Sequence, residues 1–311
     1  MAKEKPRGDI INHSEAADYV APTDPLLLSR LEWFQDQKLA LMVHWGGYSQ
    51  WGICESWPLS DADASWSRRD VDWESDPARF RQQYFALNRT FHPVRFQPEA
   101  WARFAKDAGF RYLIFTTKHH DGFCLWPSRY TEHSVKNCPV KVDVVREAAE
   151  ACRRGGIAFG FYLSPWDRNS PLYGTAAYNE YYQNQLTELL TEYGDIFCVW
   201  LDGACGEGPN GRRQVYDFLG IIRLVRKYQP NAVIFQDGGP DVRWIGNESG
   251  RARRSEWAVV PHELCKLSPQ TQTGPGPWYV PGADQLDYVY NTQENLGVAE
   301  QIARSAGLNF C

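Results

Sequence analysis

The side chains best equipped for chemistry fall at the ends of apolar runs. Asp202 closes one such run in Trp200-Leu201-Asp202-Gly203, beside a glycine that admits close approach. A carboxylate placed there suits a nucleophile or an acid/base, or else caps the following helix and binds loop amides. Trp200 lies two residues earlier, hence on the same strand face, as a pocket wall or as core filling. His44 ends an earlier run, and His119-His120-Asp121-Gly122 ends another. Adjacent histidines on an extended segment point to opposite sides, which is poor geometry for chelating one ion. His44 stands alone rather than in an HxH pair. Donation of hydrogen bonds to ligand hydroxyls is therefore preferred to metal ligation, with one of the adjacent pair serving the core. One rival is a metal-dependent hydrolase using His44, His119, His120 and Asp202; a second is a sugar-binding protein without catalysis. No metal or organic cofactor is expected.

A second carboxylate, Glu248, sits in a polar loop between Gly246 and Gly250, as a mobile acid/base or as a solvated loop residue. Two other glutamates compete for the acid/base role. Glu207 follows Asp202 on the same strand-end loop and would have to fold back. Glu256 follows Arg253 and Arg254, whose pairing would lower its pKa and suit it poorly as an acid.

Periodicity supplies the elements that must hold these groups. Short apolar runs at 39–44, 111–117, 157–163, 196–201 and 232–236 read as buried strands. Between them, residues 77–88, 98–108, 143–154, 175–193 and 212–228 carry helical periodicity. Strands alternating with amphipathic helices imply a parallel sheet covered by helices. No GxGxxG follows the first strand, so a dinucleotide fold has no support. Functional-looking residues instead end nearly every strand: His44, His119-His120-Asp121, Ser164 to Asp167, and Asp202. Catalytic groups gathered from several strand ends are the mark of a barrel's C-terminal face. The expected fold is α/β, a (β/α)8 TIM-like barrel over residues 31–311, preceded by an N-terminal arm over 1–30.

Composition narrows the function classes. The 311 residues hold 33 Lys and Arg against 38 Asp and Glu, a net charge of −5, so a phosphate-backbone binder is not indicated. No apolar run reaches the ~20 residues that cross a bilayer, so neither a nucleic-acid nor a membrane partner is expected. Aromatic residues make up 14%, which serves a core or a site binding flat or sugar-like ligands through ring faces. Eight scattered cysteines form no CxxC, arguing against a zinc ribbon or dense disulfide framework. MAKEKPRGD lacks the apolar segment of a secretory signal, so the cytoplasm is expected, or the periplasm or exterior if a signal was removed.

The motifs together resemble the catalytic domain of the α-L-fucosidases, glycoside hydrolase family 29. The likeness runs from Glu32-Trp33-Phe34 through His44-Trp45-Gly46 and Phe96 to Trp101 to Lys118-His119-His120-Asp121-Gly122-Phe123. It continues through Tyr162 to Asp167, Tyr193 to Ile196 and Val199 to Gly203, ending near Trp257. The resemblance implies a retaining exo-α-L-fucosidase acting on a fucosylated oligosaccharide or glycoconjugate. It implies Asp202 as nucleophile, Glu248 as acid/base, and His44, His119 and His120 as ligands of the fucose hydroxyls. Trp200, Glu55, Trp57, Tyr162 and Trp166 would complete the pocket. Glu55-Ser56-Trp57, Ser164 to Asn169 and Arg243 to Glu248 look like the clade preferring branched α-1,3 and α-1,4 linkages.

Two departures stand out. The family's WFDG is Trp200-Leu201-Asp202-Gly203 here, and beyond Trp278 the pattern fades, with Pro281-Gly282-Ala283-Asp284 in place of Pro-Ala-Glu. The usual C-terminal β-sandwich is expected to be absent and the barrel incomplete at its C-terminus. A parallel sheet left open exposes an unpaired edge and apolar interior. Low thermal stability and association in solution are therefore expected; a monodisperse monomer in sedimentation, melting at an ordinary mesophilic temperature, would contradict this.

Overall fold

The structure is a computed structural model that describes residues 25–59, 67–69, 71–202, 206–235 and 241–242. Its sheet has five strands: β1 (Ala40–Val43), β2 (Tyr112–Lys118), β3 (Ala158–Leu163), β4 (Cys198–Trp200) and β5 (Val233–Phe235). All neighbours are parallel and their spatial order is the chain order, β1-β2-β3-β4-β5. Helices α1 (Pro25–Gln37) and α2 (Pro77–Phe85) flank β1; α3 (Pro98–Asp107) leads into β2. Helices α4 (Val144–Gly155), α5 (Ala176–Glu192) and α6 (Phe218–Tyr228) make the later crossovers.

Sequential order has a direct consequence. Right-handed crossovers that always step in one direction put every crossover helix on the same side of the sheet. The burial pattern agrees. Leu113, Phe115, Phe159, Phe161, Leu163, Val199, Leu201 and Ile234 share one core with Ala105 of α3, Ala148 of α4, Leu186 of α5 and Val225 of α6. The alternate residues Tyr112, Ile114, Tyr162, Cys198, Val233 and Phe235 form a separate cluster, with Leu31 and Phe34 of α1 packed on it. A doubly wound sheet would reverse its strand order and carry crossover helices on both faces. On the second face β3 presents small residues, Ala158 and Gly160. A Cβ at Gly160 would lie 2.8 Å from the Cys198 carbonyl oxygen. Over this low strand the rings of Tyr112 and Phe197 meet at 4.5 Å.

Most element boundaries follow local chemistry. Asp76, Asp143 and Asp217 cap α2, α4 and α6 by accepting from backbone N–H groups two or three residues on. Two departures from the sequence expectation have clear causes. The N-terminal arm was expected through residue 30, but the chain is already helical from Pro25, because Leu31 and Phe34 find an apolar surface under the strands. The last helix was expected from residue 212, but it begins at Phe218. Residues 206–217 form a reversal, with Gly208 N–H donating to Arg212 O at 2.8 Å, before Asp217 caps the helix.

The end of β2 has a bulge that sets the site. Thr116 pairs with Tyr162 but Lys118 pairs with the adjacent Leu163, so Thr117 is an extra residue. Such an insertion re-aims the side chains beyond it. Lys118 therefore turns to the helix side, fully buried, where its ammonium lies 2.9 Å from Gln185 Oε1, 3.6 Å from Asp167 Oδ2 and above the ring of Tyr182. Gly122 must be glycine for the same reason: its φ is +72°, and a Cβ would lie 2.4 Å from Asp167 Oδ1.

Removing one partner of a buried ion pair strands the other charge. Lys118→Met is expected to destabilise the fold by about 3–5 kcal/mol, and Lys118→Met with Asp167→Asn by clearly less. Denaturant midpoints of the two variants check this; a double variant as unstable as the single one would refute it.

Candidate active site

The loop after β1 carries Glu55 into the space above the strand ends. Its φ of +50° is in the left-handed region, unusual for a residue with a side chain. What holds it there is a set of donors. Glu55 Oε2 lies 3.2 Å from His119 Nε2 and accepts from the Trp57 indole at 3.0 Å, while Oε1 lies 3.2 Å from His44 Nδ1. Burial alone would raise the Glu55 pKa, but the hydrogen bond and charge of His119, then the charge of His44 and the Trp57 bond, hold it at about 2. Glu55 is thus an anion at any ordinary pH and only accepts hydrogen bonds. It orients His44 with a proton on Nδ1 and His119 with one on Nε2. The other nitrogen of His119 lies 2.6 Å from the Ser56 hydroxyl. Burial depresses the pKa of His44, ahead of the opposing attraction of Glu55.

Asp202 stands two residues past β4 and is a quarter exposed. Tyr162, at the level of Trp200 in the β3–β4 register, donates its hydroxyl to Asp202 Oδ2 at 2.5 Å. Burial, followed by the Asp202 charge, raises the Tyr162 pKa well above its usual value, so this phenol stays a donor. His120 Nε2 lies 3.9 Å from the same carboxylate oxygen. The His120, Trp57 and Trp166 rings cluster in a triangle, His120 5.0 Å from each indole and the indoles 6.2 Å apart. Trp166 is fixed by its indole N–H, which donates to the Glu207 carbonyl at 3.0 Å.

The described residues therefore bring His44, Glu55, Trp57, His119, His120, Tyr162, Trp166 and Asp202 into one connected group. Trp200 shares the face of Tyr162 and stacks on Phe235. Glu248 and Glu256 lie outside the described residues. Glu207 is exposed. One expectation is corrected: His119 and His120 do not point to opposite sides, since their ring centroids are 4.1 Å apart. The bulge turns His119 to the pocket, and the chain leaves extended geometry at His120. Sequence reasoning assigned no role to Ser56, Thr116 or Ser164 as partners of the three histidines. Ser56 stands between two singled-out residues and Ser164 opens a singled-out strand-end segment, but nothing in their spacing marks them as histidine partners.

Among the described residues, His44, Glu55 and His119 are also the group able to offer a metal three ligand atoms, all within 4.8 Å of one another. This differs from the ligand set expected for a metal hydrolase, which included His120 and Asp202. Chemically, the site offers Asp202, which accepts from the Tyr162 hydroxyl, and an ionised Glu55 held by His44, His119 and Trp57, with tryptophan rings that provide apolar surface.

The family model described as Alpha-L-fucosidase matches residues 10–265. Alpha-L-fucosidase 1 of Arabidopsis thaliana is 50% identical over 181 residues, 57% of this chain and 35% of the plant protein. A solved glycoside hydrolase 29 family member from an unknown rumen bacterium is 35% identical, with a TM-score of 0.60 over 86% of this chain and 44% of that one. Alpha-L-fucosidase isoenzyme 1 from Paenibacillus thiaminolyticus is 31% identical, with a TM-score of 0.55 over 68% of this chain and 50% of that one. The chain thus spans half or less of the length of these relatives.

The Glu55 pKa makes a signed prediction. A carboxylate ordinarily near 4.5 and held at about 2 in the fold contributes stability above 4.5 that is lost as pH falls toward 2. The drop in unfolding free energy between pH 6 and pH 3, measured by denaturation, should be smaller in Glu55→Gln than in the parent. An equal drop in both would contradict the assignment.

Proposed function

The chain belongs to the α-L-fucosidase family, and we propose that it removes terminal α-L-fucose from oligosaccharides or glycoconjugates by retaining double displacement. The observation that carries this reading is Asp202, held by the Tyr162 hydroxyl at a strand end among His120, Trp57 and Trp166. Asp202 attacks the anomeric carbon while Glu248 protonates the departing glycosidic oxygen, leaving fucose esterified to Asp202. Glu248, now a base, takes a proton from water, which attacks the same carbon and frees Asp202. Enzymes of this type place the two carboxyl groups about 5–5.5 Å apart. Glu55, ionised at ordinary pH, is suited to receive sugar hydroxyls with His44 and His119, and ill suited to protonate a leaving group. Trp57, Trp166 and Trp200 would meet the C–H faces of the sugar.

The proposed architecture is a (β/α)8-type barrel spanning residues 31–311. Sequential strand order with one-sided crossover helices supports it, and catalytic groups at C-terminal strand ends fit it. Preference for α-1,3 or α-1,4 linkages rests on the Glu55-Ser56-Trp57 and Ser164 to Asn169 segments. Among the described residues no helix is long and apolar enough to cross a membrane. The free thiols of Cys124, Cys138, Cys152 and Cys198 are buried and agree with the proposed reducing cytoplasm. A second reading, a metal-dependent hydrolase, is favoured by the His44–Glu55–His119 group; loss of activity on chelation, with recovery on adding zinc, would support it over the first.

Substitution of the two carboxylates tests the mechanism. Glu248→Ala should lose about 100-fold or more on an oligosaccharide yet keep the first step on aryl α-fucosides, whose leaving groups need little protonation. Azide should then intercept the fucosyl-enzyme and release α-fucosyl azide, whereas Asp202→Gly with azide should give the β-azide directly. Product configuration by NMR decides. Near-normal activity of Glu248→Ala on an oligosaccharide, with loss in Glu207→Ala or Glu256→Ala, would overturn the assignment.

A further inference from the structure

The hydrogen bonds behind His120 decide how its pocket-facing nitrogen is used. Ser164, the first residue after β3, is fully buried. Its hydroxyl lies 2.8 Å from the carbonyl oxygen of Trp166 and 2.6 Å from His120 Nδ1. A carbonyl can only accept, so both contacts are hydrogen bonds only when the hydroxyl gives its one hydrogen to Trp166. The serine oxygen must then accept, and His120 must carry its proton on Nδ1. The ring is 1% exposed and packed against Trp57 and Trp166, surroundings that favour a neutral imidazole. Its remaining nitrogen, Nε2, bears a lone pair. That atom is buried and has no hydrogen-bond partner among the described residues. It faces Asp202 Oδ2 across 3.9 Å. Two acceptors that face each other this closely are reconciled when a donor enters beside them.

Resting on the reading of this pocket as a sugar site, we propose that Ser164 is a positioning residue that makes His120 a hydrogen-bond acceptor for a sugar hydroxyl next to Asp202. This reverses the donor role expected for His120 from sequence. The consequence is chemical. A hydroxyl has a single hydrogen; once it is given to His120 it is not given to Asp202, whose carboxylate keeps its electron pairs for attack. His119 is wired the other way, with its Nε2 proton committed to Glu55. The two neighbouring rings thus have opposite tautomers, each set by a group outside the pair.

Nitrogen NMR of protein labelled with 15N-histidine reads the tautomer directly, with the His120 signals assigned by their loss in His120→Gln. The expected spectrum shows a protonated Nδ1 and a bare Nε2. Ser164→Ala should move the proton toward Nε2 and lower kcat/KM for an aryl α-fucoside about tenfold, the scale of one neutral hydrogen bond. Ser164→Thr, which keeps the hydroxyl, should restore both. A proton on Nε2 in the parent protein would overturn the proposal whether or not the variants fold, as would an unchanged tautomer in Ser164→Ala. The expected tautomer without any fucoside turnover would support the wiring and count against the fucosidase reading.

Discussion

A lysine ammonium with no access to water must have its charge answered inside the protein, and much of the site hangs on how that is done at Lys118. Its partners, Asp167 and Gln185, come from the loop after β3 and from α5. The same loop is stitched to the end of β2 by backbone bonds, Ser164 N–H to Lys118 O and Arg168 N–H to His120 O. Asp167 in turn accepts from the N–H groups of Asn169 and Ser170. One buried charge therefore ties together the segment bearing His119 and His120 and the segment bearing Ser164 and Trp166. A buried pair of this kind contributes little net stability over an apolar replacement. Its value here is that it leaves those two segments one relative position.

Glu55 plays the complementary part on the pocket side. A carboxylate that only accepts, surrounded by three donors, dictates the tautomers of His44 and His119 and the pose of Trp57. The left-handed backbone at Glu55 has an energetic cost that these bonds offset. The two carboxylates are held differently: Glu55 by His44, His119 and Trp57, and Asp202 by the Tyr162 hydroxyl, with His120 Nε2 3.9 Å away.

Sheet topology explains why these groups meet at all. Parallel strands in chain order present their C-terminal ends along one edge, and with crossover helices confined to the other face, each strand end can send a side chain into the same space. His44, His119, Tyr162 and Asp202 derive from four successive strands. The aromatic content divides accordingly. Trp126, Tyr178 and Tyr182 are core groups fully buried against the helices, and Trp57 and Trp166 border the site.

Local pattern was enough for the strands, for most helices, and for the strand-end residues His44, His119, His120 and Asp202, because periodicity and capping depend on neighbours within a few residues. It failed where the deciding contact is distant. The start of α6 depends on a reversal at 206–217, and α1 forms because an apolar face lies beneath the strands. The Thr117 bulge leaves no mark in Thr116-Thr117-Lys118, yet it sends Lys118 to the helices and His119 to the pocket. Glu55, Trp57, Tyr162 and Trp166 were reached through family resemblance, while Ser56 and Ser164 went unassigned. Ser56 meets His119 across 63 residues and Ser164 meets His120 across 44. A hydroxyl's role is set by which donor or acceptor lies within 3 Å, and only the packing of β2 against the loops after β1 and β3 brings those partners within reach.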